Sequence, residues 1–170
     1  MSKNWMKVLC VLFLMITIGG SYCQAQRKYT PTSYLEKHSK AAKQLMKETG
    51  VPASVILAIA IHESAYGNSR IATYLNNHFG IKGKNNSRKI NSAYKGYDST
   101  LASYRDFVGM LQRKKSTQPL FMKHDSEDYQ SWIKGIAKSG YSTSGDWSKK
   151  VLATIDRYNL DQYDEKTSLN

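Results

Sequence analysis

A run of apolar residues that ends in a carboxylate is the feature that most constrains this chain. Residues 53–64 read "ASVILAIAIHES", and nearly every position from Ala53 to Ile61 is apolar. Pro52, just before the run, suits the first turn of a helix. Apolar residues on all faces of a helix predict burial on nearly every side, so other helices must surround this one. Glu63 would then lie at the C-terminal end of a core helix.

The rest of the chain supplies helices that could surround it. Ser33 and Glu36 have the spacing of a capping box, which predicts a helix from Ser33 that ends at Gly50. Residues 76–99 are rich in Asn, Gly, Lys and Tyr and are expected to form loop with at most short strands. The pattern as a whole predicts one mainly α domain with a small polar insert. The remaining helices are expected near residues 69–75, 100–112, 127–138 and 146–158.

The first 25 residues have the layout of a secretory signal peptide. Lys3 and Lys7 precede an apolar core over residues 8–20, and small residues follow it. The core is too short for a spanning helix, which needs about 20 apolar residues. We therefore expect export, with cleavage after Ala25 and no stable membrane insertion; a lipid anchor at Cys23 is the alternative. Beyond the leader we expect a tether over 26–32, the domain over 33–162 and a C-terminal tail over 163–170.

Cysteine, histidine and charge content narrow the class of protein. Both cysteines lie in the predicted leader, so the mature chain would have neither a disulfide nor a cysteine metal site. The four histidines lack the HExxH spacing of a zinc site, and we expect no metal and no cofactor. The leader holds two of the 25 basic residues and none of the 13 acidic ones, which leaves a net charge of +10. This charge favours cell-wall polymers or lipid headgroups as partners, or serves solubility alone; we expect no nucleic-acid partner.

Glu63 is the candidate for acid–base chemistry. Near the C-terminus of an apolar helix, burial and the helix dipole both favour the protonated form of a carboxyl group. A general acid that works near neutral pH needs this property. The alternative is that Glu63 simply points into water at a helix end.

Four motifs in order resemble the glucosaminidase family of peptidoglycan hydrolases (glycoside hydrolase family 73). They are "HESAYGNSRIA" from His62, "NNHFGIKG" from Asn76, "YKGYDS" from Tyr94 and "SGYSTSGDWSKKVLATIDRYNL" from Ser139. The resemblance implies a lysozyme-like fold, in which a helical lobe and a smaller lobe of loops and short strands flank a glycan groove. It also implies cleavage of peptidoglycan glycan strands between N-acetylglucosamine and N-acetylmuramic acid. We expect the protein to act as a monomer.

The resemblance also implies roles for single residues. Glu63 matches the family's catalytic acid, and Tyr141 matches a tyrosine of the catalytic cleft that could bind the N-acetyl group or orient a water. Asn77 and Phe79 are expected in the cleft wall, although Phe79 could equally be packed in the core. Rings that could stack on sugars are those of Tyr66, Tyr97 and Trp147.

Glycoside hydrolysis usually needs two carboxylates, and the second is not evident here. Many relatives place it between "FGIK" and "YDS", but residues 83–96 contain neither Asp nor Glu. Three explanations stay open: the substrate's own 2-acetamido oxygen is the nucleophile, Asp98 or Asp146 approaches, or the protein binds glycan without cutting it. We favour the first, because an N-acetylated sugar brings its own nucleophile; Asp98 is more simply a helix cap.

The hypothesis that results is an exported endo-β-N-acetylglucosaminidase with Glu63 as general acid. A lytic transglycosylase, which uses one Glu on a similar fold, is the close alternative. A non-catalytic protein of cell-wall binding or assembly is the other. The insert also contains a cationic patch, formed by Lys82, Lys84, Arg88, Lys89 and Lys95. This patch could bind peptide carboxylates or acidic wall polymers, or it could simply be solvated.

Overall fold

A buried central helix organises the part of the chain that the structure describes. The computed structural model describes residues 28–164 of the 170, so the predicted leader, its cleavage site and both cysteines lie outside the described residues. No helix in this range is long and apolar enough to cross a membrane. The helices are α1 (Pro31–Thr49), α2 (Ala53–Ser64), α3 (Arg70–Leu75), α4 (Thr100–Arg113), α5 (Leu120–Lys123), α6 (Tyr129–Lys138), α7 (Trp147–Tyr158) and a final 3-10 helix (Leu160–Tyr163).

Helix α2 is the apolar run of the sequence, and it is buried on nearly every side as predicted. All residues from Ala53 to Ile61 are at most 3% exposed. Helices α1, α6 and α7 and the 3-10 helix pack against it, and Trp132 and Ile155 bring fully buried side chains from α6 and α7. Burial of a single Ile or Leu side chain stabilises the fold by about 1.5–3 kcal/mol. Core packing therefore holds α2, and with it the backbone of Glu63.

The N-terminus of α2 is held by a residue from the far end of the chain. Its own N-cap, Pro52, supplies no side-chain hydrogen bond. Instead, Asp164 accepts from the Ser54 N–H at 2.8 Å and from the Ser54 hydroxyl at 2.5 Å. Asp164 is buried, so the folded domain extends at least to this residue. The predicted domain end at residue 162 is therefore too early, because the supposed tail completes the cap of the central helix.

Helix α1 begins two residues earlier than predicted. Thr30 is its N-cap: the Thr30 hydroxyl accepts from the Ser33 N–H at 3.2 Å, and the Ser33 hydroxyl accepts from the Thr30 N–H at 2.9 Å. The capping box predicted for Ser33 and Glu36 is wrong, because Pro31 is well suited to the first helical position and sets the start there. The predicted tether over 26–32 thus overlaps the first turn of α1.

Other helix starts lie within two residues of the predictions. Helix α4 begins at Thr100, as predicted, and Ser99 is its N-cap, since its hydroxyl accepts from the Ala102 N–H at 3.1 Å. Asp128 caps α6 by accepting from the Ser131 N–H at 3.1 Å. The four-residue helix α5 was not predicted, because so short a segment shows no apolar periodicity.

Residues 76–99 form a small lobe of loops beside the helices. Its pairing consists of one isolated antiparallel bridge between Lys82 and Tyr94, beside which the Lys95 N–H donates to the Ile81 carbonyl at 2.8 Å. Within the described residues this bridge is the extent of the β structure. The prediction of a mainly α domain with a loop insert is confirmed.

Candidate active site

Glu63 lies one residue before the end of α2, and a tight turn follows at once. The Ser64 hydroxyl donates to the Ala60 carbonyl at 2.5 Å and accepts from the Gly67 N–H at 2.7 Å. The three residues after Ser64 all have positive φ angles of 50°, 58° and 76°. Such a run ends the helix abruptly, because L-residues continue a helix only with negative φ. The turn leaves Glu63 at the surface of the helical lobe.

Gly67 is the residue that this turn requires. A Cβ at this position would lie 3.1 Å from both His78 Cε1 and Tyr34 Cε2, and its φ of +76° favours glycine. Both rings belong to a buried polar cluster, in which the Tyr34 hydroxyl lies 2.7 Å from His78 Nδ1 and 2.7 Å from the Tyr104 hydroxyl. The turn therefore packs directly on this cluster. Gly67 was not among the predicted residues, although a glycine just after a predicted helix end is typical of a helix C-terminus.

The Glu63 carboxylate is held from one side by the indole of Trp147. The Trp147 Nε1–H donates to Glu63 Oε1 at 2.9 Å. Trp147 is the first residue of α7 and is only 3% exposed. Its predicted role as a stacking surface for sugar is therefore wrong, because the ring is buried behind the carboxylate that it positions.

Glu63 itself is exposed. The expectation that its carboxyl group packs against the apolar part of α2 is wrong, because those residues face the core and the turn directs Glu63 to solvent. Oε1 is engaged by the indole, and Oε2 accepts no hydrogen bond from residues 28–164. The protein thus orients Oε1, and Oε2 is free to contact a ligand.

Tyr141 lies beside this pair. Its ring centroid is 5.2 Å from that of Trp147, and its hydroxyl donates to the Phe79 carbonyl at 3.2 Å. Burial, and to a smaller extent the charge of Glu63, raises the pKa of Tyr141 well above its ordinary value. The phenol therefore stays neutral, and its oxygen keeps lone pairs that can accept a hydrogen bond. The structure brings together the two residues predicted to be catalytic.

A groove of about 500 Å³ contains both side chains. One wall comes from the small lobe, at residues 80–82 and Tyr94, and the other from residues 139–142, with the end of α4 closing one side. Among the described residues that line this groove, Glu63 is the only acidic one. The groove is open and polar enough for a chain of sugars, and it offers a single carboxylate.

Two residues predicted in the cleft wall have other roles. Asn77 is 1% exposed; its amide group donates to the Ile81 and Lys95 carbonyls, both at 2.8 Å. The prediction for Asn77 is wrong, because the side chain holds the small lobe together and does not reach the groove. Phe79 borders the groove, but its ring is buried and stacks parallel to Phe107 with centroids 4.2 Å apart. The Phe79 ring is therefore packed in the core, which was the alternative prediction for this residue.

Tyr66 and Tyr97 do not line the groove that contains Glu63. The Tyr66 hydroxyl lies 2.8 Å from the Tyr158 hydroxyl, and the Tyr97 hydroxyl donates to Asp106 at 2.8 Å. Tyr97 faces a neighbouring hollow instead. Their hydroxyls are engaged elsewhere in the fold, and the sugar contacts of their rings stay predictions.

The two acids considered as a second carboxylate also lie outside the groove. Asp98 is exposed and borders the same neighbouring hollow as Tyr97. Asp146 pairs with Lys150 at 2.8 Å, and the hydrogen bond from Lys150 keeps the pKa of Asp146 below its ordinary value. Within residues 28–164, no three His, Cys, Asp or Glu side chains gather as a metal site requires.

Comparison with known proteins finds relatives of this chain by sequence. The model of the Glucosaminidase family, described as mannosyl-glycoprotein endo-beta-N-acetylglucosaminidase, matches residues 39–160. Exo-glucosaminidase LytG of Bacillus subtilis is 28% identical over 152 residues, which cover 78% of this chain and 53% of LytG. Peptidoglycan hydrolase FlgJ of Vibrio parahaemolyticus is 28% identical over 146 residues, which cover 72% of this chain and 46% of FlgJ. The chain thus spans about half the length of these relatives.

Solved structures share the fold. The catalytic domain of the autolysin Auto from Listeria monocytogenes superposes with a TM-score of 0.62 at 23% identity, covering 96% of this chain and 98% of that one. The glycoside hydrolase domain of FlgJ from Salmonella typhimurium gives a TM-score of 0.63 at 22% identity, covering 79% of this chain and 91% of that one. At these identities the likeness concerns the fold, and it agrees with the predicted architecture of a helical lobe beside a smaller one.

Proposed function

Because this chain belongs to the glucosaminidase family, we propose that it is an exported peptidoglycan hydrolase, an endo-β-N-acetylglucosaminidase that cuts between N-acetylglucosamine and N-acetylmuramic acid. The observation that carries the proposal is the Glu63 carboxylate in an open groove, oriented by the Trp147 indole. The names of LytG, an exo-glucosaminidase, and FlgJ, a peptidoglycan hydrolase, support this substrate class. The basic, apolar and small-residue order of residues 1–25 supports export.

Glu63 is the general acid. A bound strand covers the groove and excludes water from around the Glu63 carboxyl group. Glu63 Oε2 then gives its proton to the glycosidic oxygen while the bond from that oxygen to C1 breaks. The indole of Trp147 keeps Oε1 in place, so the proton-bearing oxygen faces the scissile bond.

The 2-acetamido group of the substrate is the nucleophile. Its carbonyl oxygen forms a bond to C1 as the leaving oxygen departs, which gives an oxazolinium ion and needs no second carboxylate. Tyr141 accepts a hydrogen bond from the acetamido N–H, because its own proton is given to the Phe79 carbonyl. This contact holds the acetamido carbonyl under C1. Water then attacks C1 and opens the oxazolinium ring. The ionised Glu63 takes up the proton that this water loses.

The single acidic residue among the groove-lining residues also favours a second candidate, a lytic transglycosylase. In that reaction the 6-hydroxyl of an N-acetylmuramic acid residue bonds to C1 of the same residue and expels the N-acetylglucosamine attached there, which leaves an anhydro sugar. Glu63 gives its proton to the leaving oxygen and takes up the proton of the 6-hydroxyl. Mass spectrometry of the products distinguishes the two reactions, since hydrolysis adds one water to each cut and transglycosylation adds none.

Glu63→Gln is the deciding variant. It removes the transferable proton and keeps the shape of the side chain, so release of reducing sugar from purified sacculi should fall by about a hundred- to ten-thousandfold. Glu36→Gln on the exposed face of α1 is the matched control and should keep wild-type activity. Equal release by wild type and Glu63→Gln would sink the proposal. If sacculi bind both proteins and neither releases product, the chain is instead a wall-binding protein.

Asp98→Asn and Asp146→Asn test the nucleophile. Because neither side chain lines the groove, each variant should stay within a few-fold of wild-type turnover. A loss of more than about a hundredfold in either variant, with the fold intact, would show that this acid takes part and would contradict substrate assistance.

A further inference from the structure

Two lysines share the groove with Glu63. Lys82 enters it from the small lobe, and Lys114 enters it from the C-terminal end of α4. Together with one carboxylate they make the lining of the groove cationic when all three side chains are ionised. A neutral chain of N-acetylated sugars has no charge that would complement this lining.

The backbone of both lysines is well held. Lys82 forms the isolated bridge with Tyr94, and the neighbouring Gly83 N–H donates to the Ala93 carbonyl at 3.0 Å. The Lys114 carbonyl accepts from the Thr117 N–H at 2.9 Å, and the Lys114 N–H donates back into α4. The two ammonium groups therefore extend from fixed points on different walls of the groove.

Neither ammonium group forms an ion pair within the part of the chain that the structure describes. Within residues 28–164, no Asp or Glu oxygen lies within 4.0 Å of the Nζ atom of Lys82 or Lys114. The nearby Lys95 is a useful contrast, because it pairs with Asp106 at 2.7 Å. The cationic patch seen in the sequence is thus divided: Lys95 pairs within the fold, Lys82 lines the groove, and the other three members border the neighbouring hollow, namely Lys84, Arg88 and Lys89.

We propose that Lys82 and Lys114 bind carboxylates carried by the muramic acid residue of the strand, and so make the groove selective for acidic glycan. The inference rests on the proposed function and specifies its substrate. Two sources offer this chemistry: the lactyl carboxylate of a muramic acid without peptide, and the carboxylates of an attached stem peptide. An exposed ion pair of this kind changes binding by about three- to fivefold, and the two lysines together by about tenfold.

The test compares one enzyme on three soluble substrates. The first is strands with their stem peptides, the second is the same strands after amidation of all carboxyl groups, and the third is strands freed of peptide, which keep the lactyl carboxylate. The measured quantities are two ratios: kcat/KM on native strands, and kcat/KM on peptide-free strands, each divided by kcat/KM on amidated strands. Because both rates in each ratio come from the same preparation, partial unfolding of a variant cancels.

We expect the larger of these ratios to be about ten for the wild type, about three for Lys82→Gln or Lys114→Gln, and near one for the double variant. Lys115→Gln, next to Lys114 but outside the groove lining, is the matched control and keeps the wild-type ratio. Faster cleavage of peptide-free strands than of amidated strands shows that the lactyl carboxylate is bound, and faster cleavage of native strands than of amidated strands shows that stem carboxylates are bound. Either result supports the proposal.

Two outcomes would overturn the inference while the hydrolase proposal stands. One is a wild-type kcat/KM that is the same on native, peptide-free and amidated strands. The other is a wild-type ratio in the double variant. Failure of the wild type to cut any of the three substrates would instead overturn the proposed function, and the inference with it.

Discussion

Trp147→Phe tests whether the indole of Trp147 orients the catalytic acid. The substitution keeps an aromatic ring against Tyr141 and removes the Nε1–H that donates to Glu63 Oε1 at 2.9 Å. A hydrogen bond to a charged group contributes about 1.5–3 kcal/mol. Since about 1.4 kcal/mol corresponds to tenfold in rate, kcat/KM on strands should fall by about ten- to a hundredfold. The loss should appear in kcat, because the acid acts in the transition state, and KM should change little.

The matched control is Trp132→Phe. Trp132 is also buried, and its Nε1–H donates to the Asp125 carbonyl at 3.0 Å; neither residue lines the groove. Both variants lose a comparable ring volume, so both should be destabilised by about 1–3 kcal/mol in urea unfolding. Only Trp147→Phe should lose turnover when the folded fractions are equal. If the kcat values of the two variants lie within threefold of each other, the indole does not position the acid.

Three further predictions concern stability. Gly67→Ala should lower the free energy of unfolding by about 1–3 kcal/mol, because it adds a Cβ at φ +76° with contacts of 3.1 Å, whereas Gly145→Ala meets nothing within 4 Å and should be near neutral; equal effects in urea unfolding would contradict this. Burial lowers the pKa of His38 to about 4 and of His78 to about 3, below the ordinary 6.5, so the unfolded chain binds their protons first. Stability present above pH 6.5 should therefore be lost as the pH falls, by about 2 kcal/mol for each histidine between pH 7 and 5, and urea midpoints that stay constant over this interval would refute it. Burial raises the pKa of Asp164 from 3.8 to about 6, so the folded state binds this proton first and the free energy of unfolding gains about 1 kcal/mol between pH 7 and 5. Asp164→Asn removes this gain, so the variant should lose stability more steeply in acid than the wild type does.

The parts of the fold that could be predicted from sequence are those set by local pattern. The apolar run of α2 predicted its burial, and Gly50, with a φ of 80°, ended α1 where expected. The loop character of the small lobe followed from its composition. Helix starts were less predictable, because several Ser, Thr and Asp residues near each start could serve as the cap. The capping box of α1, for example, is formed by Thr30 and Ser33, whereas the spacing of Ser33 and Glu36 predicted one three residues later.

The candidate site was predictable only in part. Glu63 and Tyr141 were found through the resemblance of their motifs, and the structure places them in one groove. The support of Glu63 was not predictable, since the Trp147 indole comes from 84 residues further along the chain. Asn77 was misread for a related reason: a polar residue in a loop looks like a ligand contact until its buried hydrogen bonds to Ile81 and Lys95 are seen.

Both ends of α2 are held by contacts that no local pattern contains, and this explains how an exposed acid can still be well positioned. Asp164 caps the N-terminus of the helix from 110 residues away. Ser64 and Gly67 hold the C-terminal turn against the buried cluster around Tyr34. Between these two points the helix is fully enclosed by core side chains, so its backbone has little freedom to shift. Glu63 therefore needs only one further contact, the hydrogen bond from the Trp147 indole, to orient its carboxylate in the groove while the outer oxygen stays open to the strand.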